Sequence, residues 1–341
     1  MIELLKKLCA LPGPSGREEK VREYIEEYAK QYADEMLTDP MGNLHVFRKG
    51  LNREKTLMVC GHMDEIGMIV TGITNDGYLK FDFVGGVDRR VVIGKRVWMG
   101  EHRIPGIIGV KAYHLCKGEA DKVVPPVSAL YIDIGAESKA EAEKLISLGD
   151  VGCFDEDVFE FGNGMLKAKA IDDRLGCAVC MKLMEKQPPC DTWYVFTCQE
   201  EVGARGAGTA AFRIQPDAAV IVEATTAADL PGVPAHKTIC KPGNGAVIPF
   251  MDRNTIYNRR FYDALTKLAD SHGIKWQTKQ MIAGGTDACN IQRSRVGVPV
   301  VGIAAALRNI HSPACVGSIA DFEAVYQLAE LFMEDFAKGD L

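Results

Sequence analysis

The sequence predicts an α/β fold: a mostly parallel sheet flanked by helices, interrupted by an inserted small β-barrel. Three observations carry this. Short apolar runs at residues 57–60, 193–196, 218–222 and 298–304 are bounded by polar residues and read as buried strands. Stretches that look helical lie between these runs, at residues 175–184 and 257–269, and a closing helix carries Phe322, Val325, Leu328, Leu331 and Phe332. From about residue 66 to 165 the pattern changes to short strands punctuated by glycine turns.

The 341 residues suggest two domains, at roughly 150 residues each. With 47% hydrophobic and 25% charged residues, the chain is not disordered. Lys and Arg number 40 against 46 Asp and Glu, a net charge of −6, so no nucleic-acid partner is expected. The longest apolar run, near residues 296–307, is too short and too broken by Gly and Pro to cross a bilayer, so no membrane partner is expected. The 11 cysteines are scattered and odd in number, which fits reduced thiols. The start lacks the apolar stretch and cleavage site of a secretory signal, and a cytoplasmic location is expected.

Taken in order, Pro12-Gly13-Pro14-Ser15-Gly16-Arg17-Glu18 reads as a turn feeding a helix. Ser15 and Glu18 have capping-box spacing, and Val21, Tyr24, Ile25, Tyr28, Tyr32 and Met36 share one face. The strand at 57–60 runs into Gly61-His62-Met63-Asp64. Asn75-Asp76-Gly77 is a hairpin-type turn, after which Leu79, Phe81 and Phe83 alternate with polar residues. Runs at 91–93, 97–99 and 104–110 continue a small β unit. The α/β pattern resumes after Lys167. The expected division is therefore a discontinuous α/β catalytic domain, residues 1–65 and 166–341, with an inserted β domain at 66–165.

Each of the four α/β strands is followed by a candidate metal ligand: His62, Glu200 or Glu201, Glu223 and His311. In an open parallel sheet, sites form beyond the carboxyl ends of the strands, so these distant residues can meet. Asp172-Asp173, just before a helix, faces the same edge. Histidine with carboxylate suits Zn²⁺ or Co²⁺. The set exceeds what one four-coordinate ion needs, and two ions sharing a carboxylate use it better. Two divalent ions bring +4, and Asp172, Glu201 and Glu223 with a bridging hydroxide balance them. Such a pair would activate water near neutral pH. Glu200, beside Glu201, is the candidate proton acceptor, and Asp64 the candidate support for the His62 imidazole.

Gly61-His62-Met63-Asp64, Ile171-Asp172-Asp173-Arg174, Glu200-Glu201-Val202-Gly203, Val222-Glu223-Ala224-Thr225, Gly284-Gly285-Thr286-Asp287 and Ile310-His311-Ser312-Pro313 occur in order, after Pro12-Gly13-Pro14-Ser15-Gly16. Together they resemble the dinuclear metallo-aminopeptidases that form tetrahedral particles, of the glutamyl and deblocking aminopeptidase type. The resemblance covers nearly the whole chain. It implies that one metal takes His62 and Glu223, the other takes Glu201 and His311, and Asp172 bridges. It implies Glu200 as general base, Asp64 as support for His62, and a cis Asp172–Asp173 peptide. It also implies a homo-oligomer, a dodecamer or a dimer, in which the β insert serves assembly and access of short peptide substrates. The chain departs from the pattern with Glu223 for Asp, Cys315 for Glu, and Ala304-Ala305-Ala306-Leu307-Arg308-Asn309 for Ser-x-Pro-x-Arg-Tyr.

The reaction expected is hydrolysis of N-terminal residues from short peptides through a bridging metal-bound water. Two alternatives stand beside it: a related dinuclear-metal deacylase or carboxypeptidase-like hydrolase, and an oligomeric scaffold with weak catalysis. Cys177 and Cys180 lack the partner pair of a metal or redox motif and read as a helix core. Asp229, Thr286 and Asp287 are candidates to line a substrate site.

Overall fold

A computed structural model describes residues 1–116, 118 and 123–339. Helices α1 (Ile2–Cys9) and α2 (Glu19–Ala29) precede the hairpin of β1 (Glu35–Thr38) and β2 (Leu44–Arg48), and β3 (Asn52–His62) follows. Strands β4 (Gly67–Ile73), β5 (Leu79–Val84), β6 (Arg96–Met99), β7 (Ile104–Val110), β8 (Leu130–Asp133) and β9 (Val151–Phe154) close a barrel, with short α3 (Lys139–Ala142) before β9. Strands β10 (Phe159–Phe161) and β11 (Met165–Ala168) return the chain to the large sheet. Then come α4 (Ile171–Leu183), β12 (Cys190–Thr197), α5 (Arg205–Ile214), β13 (Ala218–Thr226), β14 (Ala246–Val247), α6 (Arg259–Ser271), β15 (Trp276–Gln277), α7 (Ala288–Ile291), β16 (Val300–Arg308), β17 (Cys315–Ser318) and α8 (Ile319–Lys338).

The large sheet runs β1-β2-β12-β3-β13-β16-β17-β11-β10. Its centre, β12-β3-β13-β16, is parallel, and its flanks are antiparallel. These central strands are the apolar runs predicted from the sequence. Their side chains alternate between two helical layers, as the two-residue strand period requires. Leu57 and Val59 of β3 face the core beneath α1, α4 and α8, whereas Met58 and Cys60 face the small-residue surface of α5 and α7. Burial on both faces explains why these strands read as unbroken apolar runs. From β3 the chain crosses to β12 on one side, and from β12 to β13 on the other. That reversal opens a crevice at the carboxyl ends of the strands.

The barrel has its own core, including Met68, Leu79, Phe81, Val97, Ile108 and Ile132. The Asn75-Asp76-Gly77 turn joins β4 to β5, and Gly77 adopts φ +84°, as such a turn demands. Residues Arg89–Val91 form a 3₁₀ turn where a strand was expected at 91–93.

The start of α2 also departs from the sequence reading. No side chain caps it, and Met36 lies in β1 beyond its end. The Ser15 hydroxyl donates instead to Asp64, and the Glu18 carboxylate accepts from the Gln199 amide. The spacing of a capping box is used here to tie the N-terminal turn to the sheet edge.

Candidate metal centre

The parallel strands deliver their ends side by side, and the sequence candidates come together there. His62 ends β3, Glu200 and Glu201 follow β12, Glu223 lies near the end of β13, and His311 follows β16. Asp172 joins them from the start of α4. The Asp172–Asp173 peptide is cis. Asp172 and Asp173 have non-helical dihedrals within the first turn of α4. Asp173 caps the helix by accepting from Gly176 N at 2.9 Å and holds the His62 amide at 3.1 Å, leaving Asp172 turned into the site. Gly61 and Gly176 make this possible: a β-carbon on Gly61 would stand 2.7 Å from the Gly176 α-carbon. Helix and strand touch backbone to backbone.

Two groups of donor atoms result, His62/Asp172/Glu223 and Asp172/Glu201/His311. Asp172 belongs to both. Its Oδ1 lies 3.2 Å from His62 Nε2, and its Oδ2 lies 3.5 Å from His311 Nε2. Glu223 Oε1 is 4.0 Å from His62 Nε2, and Glu201 Oε2 is 3.4 Å from His311 Nε2. A tetrahedral shell with bonds of about 2.0–2.1 Å sets its donors about 3.3 Å apart, so this donor set fits a pair of small divalent cations.

The imidazoles are oriented for that task. His62 Nδ1 faces the Asp64 carbonyl at 3.0 Å, and His311 Nδ1 faces the Gly86 carbonyl at 2.9 Å. With a cation in place of its second proton, each ring would keep its proton on Nδ1 and present Nε2. The Asp64 carboxylate also approaches His62 Nδ1, at 3.3 Å. Its closer bonds go elsewhere: Oδ1 accepts from Glu200 N at 2.9 Å, and Oδ2 from Glu201 N at 3.1 Å and Ser15 Oγ at 2.6 Å. Glu200 Oε2 ends 4.0 Å from His62 Nε2.

Charge in the cluster is unbalanced. Burial, and then Asp172 nearby, push the Glu201 carboxyl up to about 8. Burial lifts Glu200 and Glu223 well above the usual carboxylate range. Burial opposes the charged forms of Asp172 and His311 too, but their mutual bond prevails. Asp172 is held low by His311 and His62, and His311 rises to about 9. The histidines thus supply positive charge that the carboxylates otherwise lack. The chemistry of the site calls for cations.

A buried ion network lies behind the ligands. Glu65, next to Asp64, meets Lys169 Nζ, with the longer contact at 2.6 Å, and Arg174 at 3.4 Å. Arg174 also donates to Leu8 O at 2.7 Å, and Glu65 accepts from Gly13 N at 3.0 Å. The segments that carry His62 and Asp172 are therefore joined to each other and to the N-terminal turn below the site.

In front of it opens a cavity of about 760 Å³, reached by Glu200, Glu223, Lys279, Thr286 and Arg293. Thr286 lines this cavity, while Asp287 is buried behind it and accepts from Thr197 Oγ1 at 2.5 Å. Asp229 is taken up in a pair with Arg308 at 2.6 Å. Sequence reasoning passed over the Gly86 carbonyl, Ser15 and Lys279. A backbone carbonyl has no residue signature. Ser15 resembled a cap, and Lys279 lies in no motif.

The sequence profile of the M42 glutamyl aminopeptidase family matches residues 42–328. The lysyl aminopeptidase of Pyrococcus furiosus is 29% identical over 99% of this chain and 98% of its own length. The TET aminopeptidase of Thaumarchaeota archaeon SCGC AB-539-E09 superimposes with a TM-score of 0.93 at 35% identity, covering 99% of this chain and 98% of that one. The TET1 peptidase of Pyrococcus horikoshii, which can assemble into a tetrahedron or a large octahedral shell, gives a TM-score of 0.85 at 34% identity, covering 96% of this chain and 98% of that one. The family match spans every motif from Gly61 to Pro313, and the superposition on the TET aminopeptidase covers 99% of the chain. The chain belongs to the M42 glutamyl aminopeptidase family and is a metal-dependent aminopeptidase.

Proposed function

We propose that the enzyme removes N-terminal residues from short peptides with two divalent cations, zinc or cobalt, held by His62, Asp172 and Glu223 and by Asp172, Glu201 and His311. The observation that carries this reading is Asp172, which presents one carboxylate oxygen to each histidine. Cations bound there supply Lewis acidity toward the attacking water and the scissile carbonyl. Glu200 takes the proton from that water and returns it to the leaving amine. Its backbone amide is fixed by Asp64, and burial favours the protonated form of its carboxyl, as a group that takes up a proton requires. Asp64 positions Glu200 and Glu201 together, and its carbonyl sets the His62 tautomer.

In this reading the chain is a discontinuous α/β unit with the β unit of residues 66–165 inserted as an assembly element. Exposed Ile107, Tyr113, Leu115 and Val123 on and after β7 support a docking role for the barrel. A homo-oligomer follows, of the tetrahedral kind described for the TET1 peptidase. No described helix is long and apolar enough to cross a membrane. The free thiols, most of them buried, favour a reducing cytoplasm. The glutamyl and lysyl names in this family point to first residues of opposite charge, so membership leaves the preferred residue open.

The test uses chelated protein reconstituted with Zn²⁺ or Co²⁺ and offered aminoacyl-anilides with free or blocked amino groups. Cleavage of only the free-amine substrates, lost on chelation and restored by metal, is the expected result. Glu200→Gln should keep the metal and lose about 10²–10⁴ in kcat. Activity indifferent to chelation, or an unchanged kcat in the variant, would refute the assignment.

A further inference from the structure

In the loop that carries Glu200 and Glu201, four consecutive amides donate to side-chain oxygens. Cys198 N reaches Asn43 Oδ1 at 3.0 Å, and Gln199 N reaches Glu18 Oε1 at 3.1 Å. Glu200 N and Glu201 N reach the two carboxylate oxygens of Asp64. Asn43 has no part in the mechanism so far. It lies on the turn between β1 and β2, which register places beside the end of β12, with Leu44 opposite Phe196.

Asn43 is fully buried, and its amide meets both ends of the loop. Oδ1 accepts from Cys198 N, and Nδ2 donates to Gly206 O at 3.0 Å. The same two residues are joined directly, because Gly206 N donates to Cys198 O at 3.1 Å. A side-chain amide offers an acceptor and a donor side by side, which these backbone groups require; an aspartate offers acceptors alone. Asp39 sets which way the amide turns. Its Oδ1 accepts from the amides of Met41, Gly42 and Asn43, and its Oδ2 accepts from Asn43 Nδ2 at 2.8 Å and His45 Nε2 at 3.1 Å. Nδ2 also reaches Thr209 Oγ1 at 3.3 Å. Gly206 is fitted to the contact, since a β-carbon there would stand 2.1 Å from Asn43 Oδ1. Between these ends, Gln199 has φ +57° and Ala204 φ +52°, left-handed conformations that residues with a β-carbon avoid. With its ends released, the loop could relax both residues and turn Glu200 and Glu201 about their bonds to Asp64.

We propose that Asn43 is a positioning residue for the reaction: its amide closes the loop of residues 198–206 at both ends and so holds Glu200 and Glu201 at the metal centre. It touches neither carboxylate and acts through the backbone. A misplacement of about 1 Å in a reacting group costs about 100-fold in rate, so a clamp at this distance from the chemistry still bears on it. None of its bonds goes to a metal-ligating side chain, so the clamp acts in the metal-free protein as well.

This inference rests on the roles proposed for Glu200 and Glu201, and its test separates the two. Hydrogen exchange read by mass spectrometry on chelated, full-length protein follows residues 198–206 without any use of activity. In Asn43→Ala, exchange there should speed up about 10- to 100-fold while β3 and β13 stay as protected as in wild type. Zn²⁺-reconstituted Asn43→Ala should lose about 10- to 100-fold in kcat toward an aminoacyl-anilide, with KM within about threefold of wild type. A role in stability alone would speed exchange across the whole sheet and leave the kcat of folded enzyme unchanged. Thr209→Val removes an exposed hydroxyl that accepts from Asn43 Nδ2 and donates to Gly206 O at 2.7 Å. It should follow both trends at about 2- to 10-fold, and it decides if Asn43→Ala misfolds. Unchanged loop exchange, acceleration as large in β3 and β13, or a kcat within about twofold of wild type in Asn43→Ala would overturn the proposal. Wild-type enzyme that cleaves no anilide would instead remove the aminopeptidase reading, and the exchange result would still decide whether Asn43 holds the loop.

Discussion

Replacing Asp64 by Asn tests how the base and one ligand are held together. The Asp64 carboxylate is fully buried and accepts from Glu200 N at 2.9 Å, Glu201 N at 3.1 Å and Ser15 Oγ at 2.6 Å. Asparagine keeps the shape but offers one oxygen and one NH₂. Whichever way it turns, a donor meets a backbone N–H. With the NH₂ toward Glu200, the base loses its anchor. With the NH₂ toward Glu201, a ligand loses its anchor, and Ser15 can rotate to accept. A charge-assisted bond contributes about 1.5–3 kcal/mol, and about 1.4 kcal/mol is tenfold. The expected loss is therefore about 10- to 100-fold, the range found for groups that orient metal ligands. Titration calorimetry with Zn²⁺ and steady-state kcat read the two outcomes separately. A fall in kcat alone marks the Glu200 side, and a fall in metal affinity marks the Glu201 side. If both stay within about twofold of wild type, Asp64 does not position either residue.

Two further perturbations probe the layer beneath the site. Burial, then the charge of Asp64, push the Glu18 carboxyl up to about 7 from 4.5, so its contribution is complete below 4.5 and lost as pH rises through 7. Glu18→Gln cannot ionise, so in urea melts it should gain on wild type by up to about 3 kcal/mol between pH 4 and pH 8; a difference that does not change with pH would contradict this. Glu65→Ala strands buried Lys169 and Arg174 and should cost about 3–5 kcal/mol in denaturant melts, whereas a loss under about 1 kcal/mol would mean the network is solvated. Light scattering should give a particle several times the 37.3 kDa chain mass, and a clean monomer would remove the assembly role proposed for the barrel.

Much of this architecture was legible because parallel strands buried on both faces leave unbroken apolar runs, and each run ends at the sheet edge where function collects. His62, Glu201, Glu223 and His311 could be read as converging for that reason alone. Asp172 was legible as one of a pair, but its division of labour with Asp173 depends on a backbone turn that the sequence does not encode locally. Ser15 and Glu18 were misread because hydroxyl and carboxylate three residues apart satisfy helix amides as well as distant ones. The tertiary partners, Asp64 and the Gln199 amide, won. Gly86 contributes through its carbonyl, whose place opposite His311 does not exist until the chain has folded.

The central claim is that these side chains form two cation sites joined by Asp172. Chelated protein dialysed against Zn²⁺ and then metal-free buffer, and assayed by elemental analysis, tests it most directly. The account predicts two ions per wild-type chain, one for His311→Ala, and fewer than one for Asp172→Ala. A single ion per wild-type chain, or two retained after loss of Asp172, would contradict it.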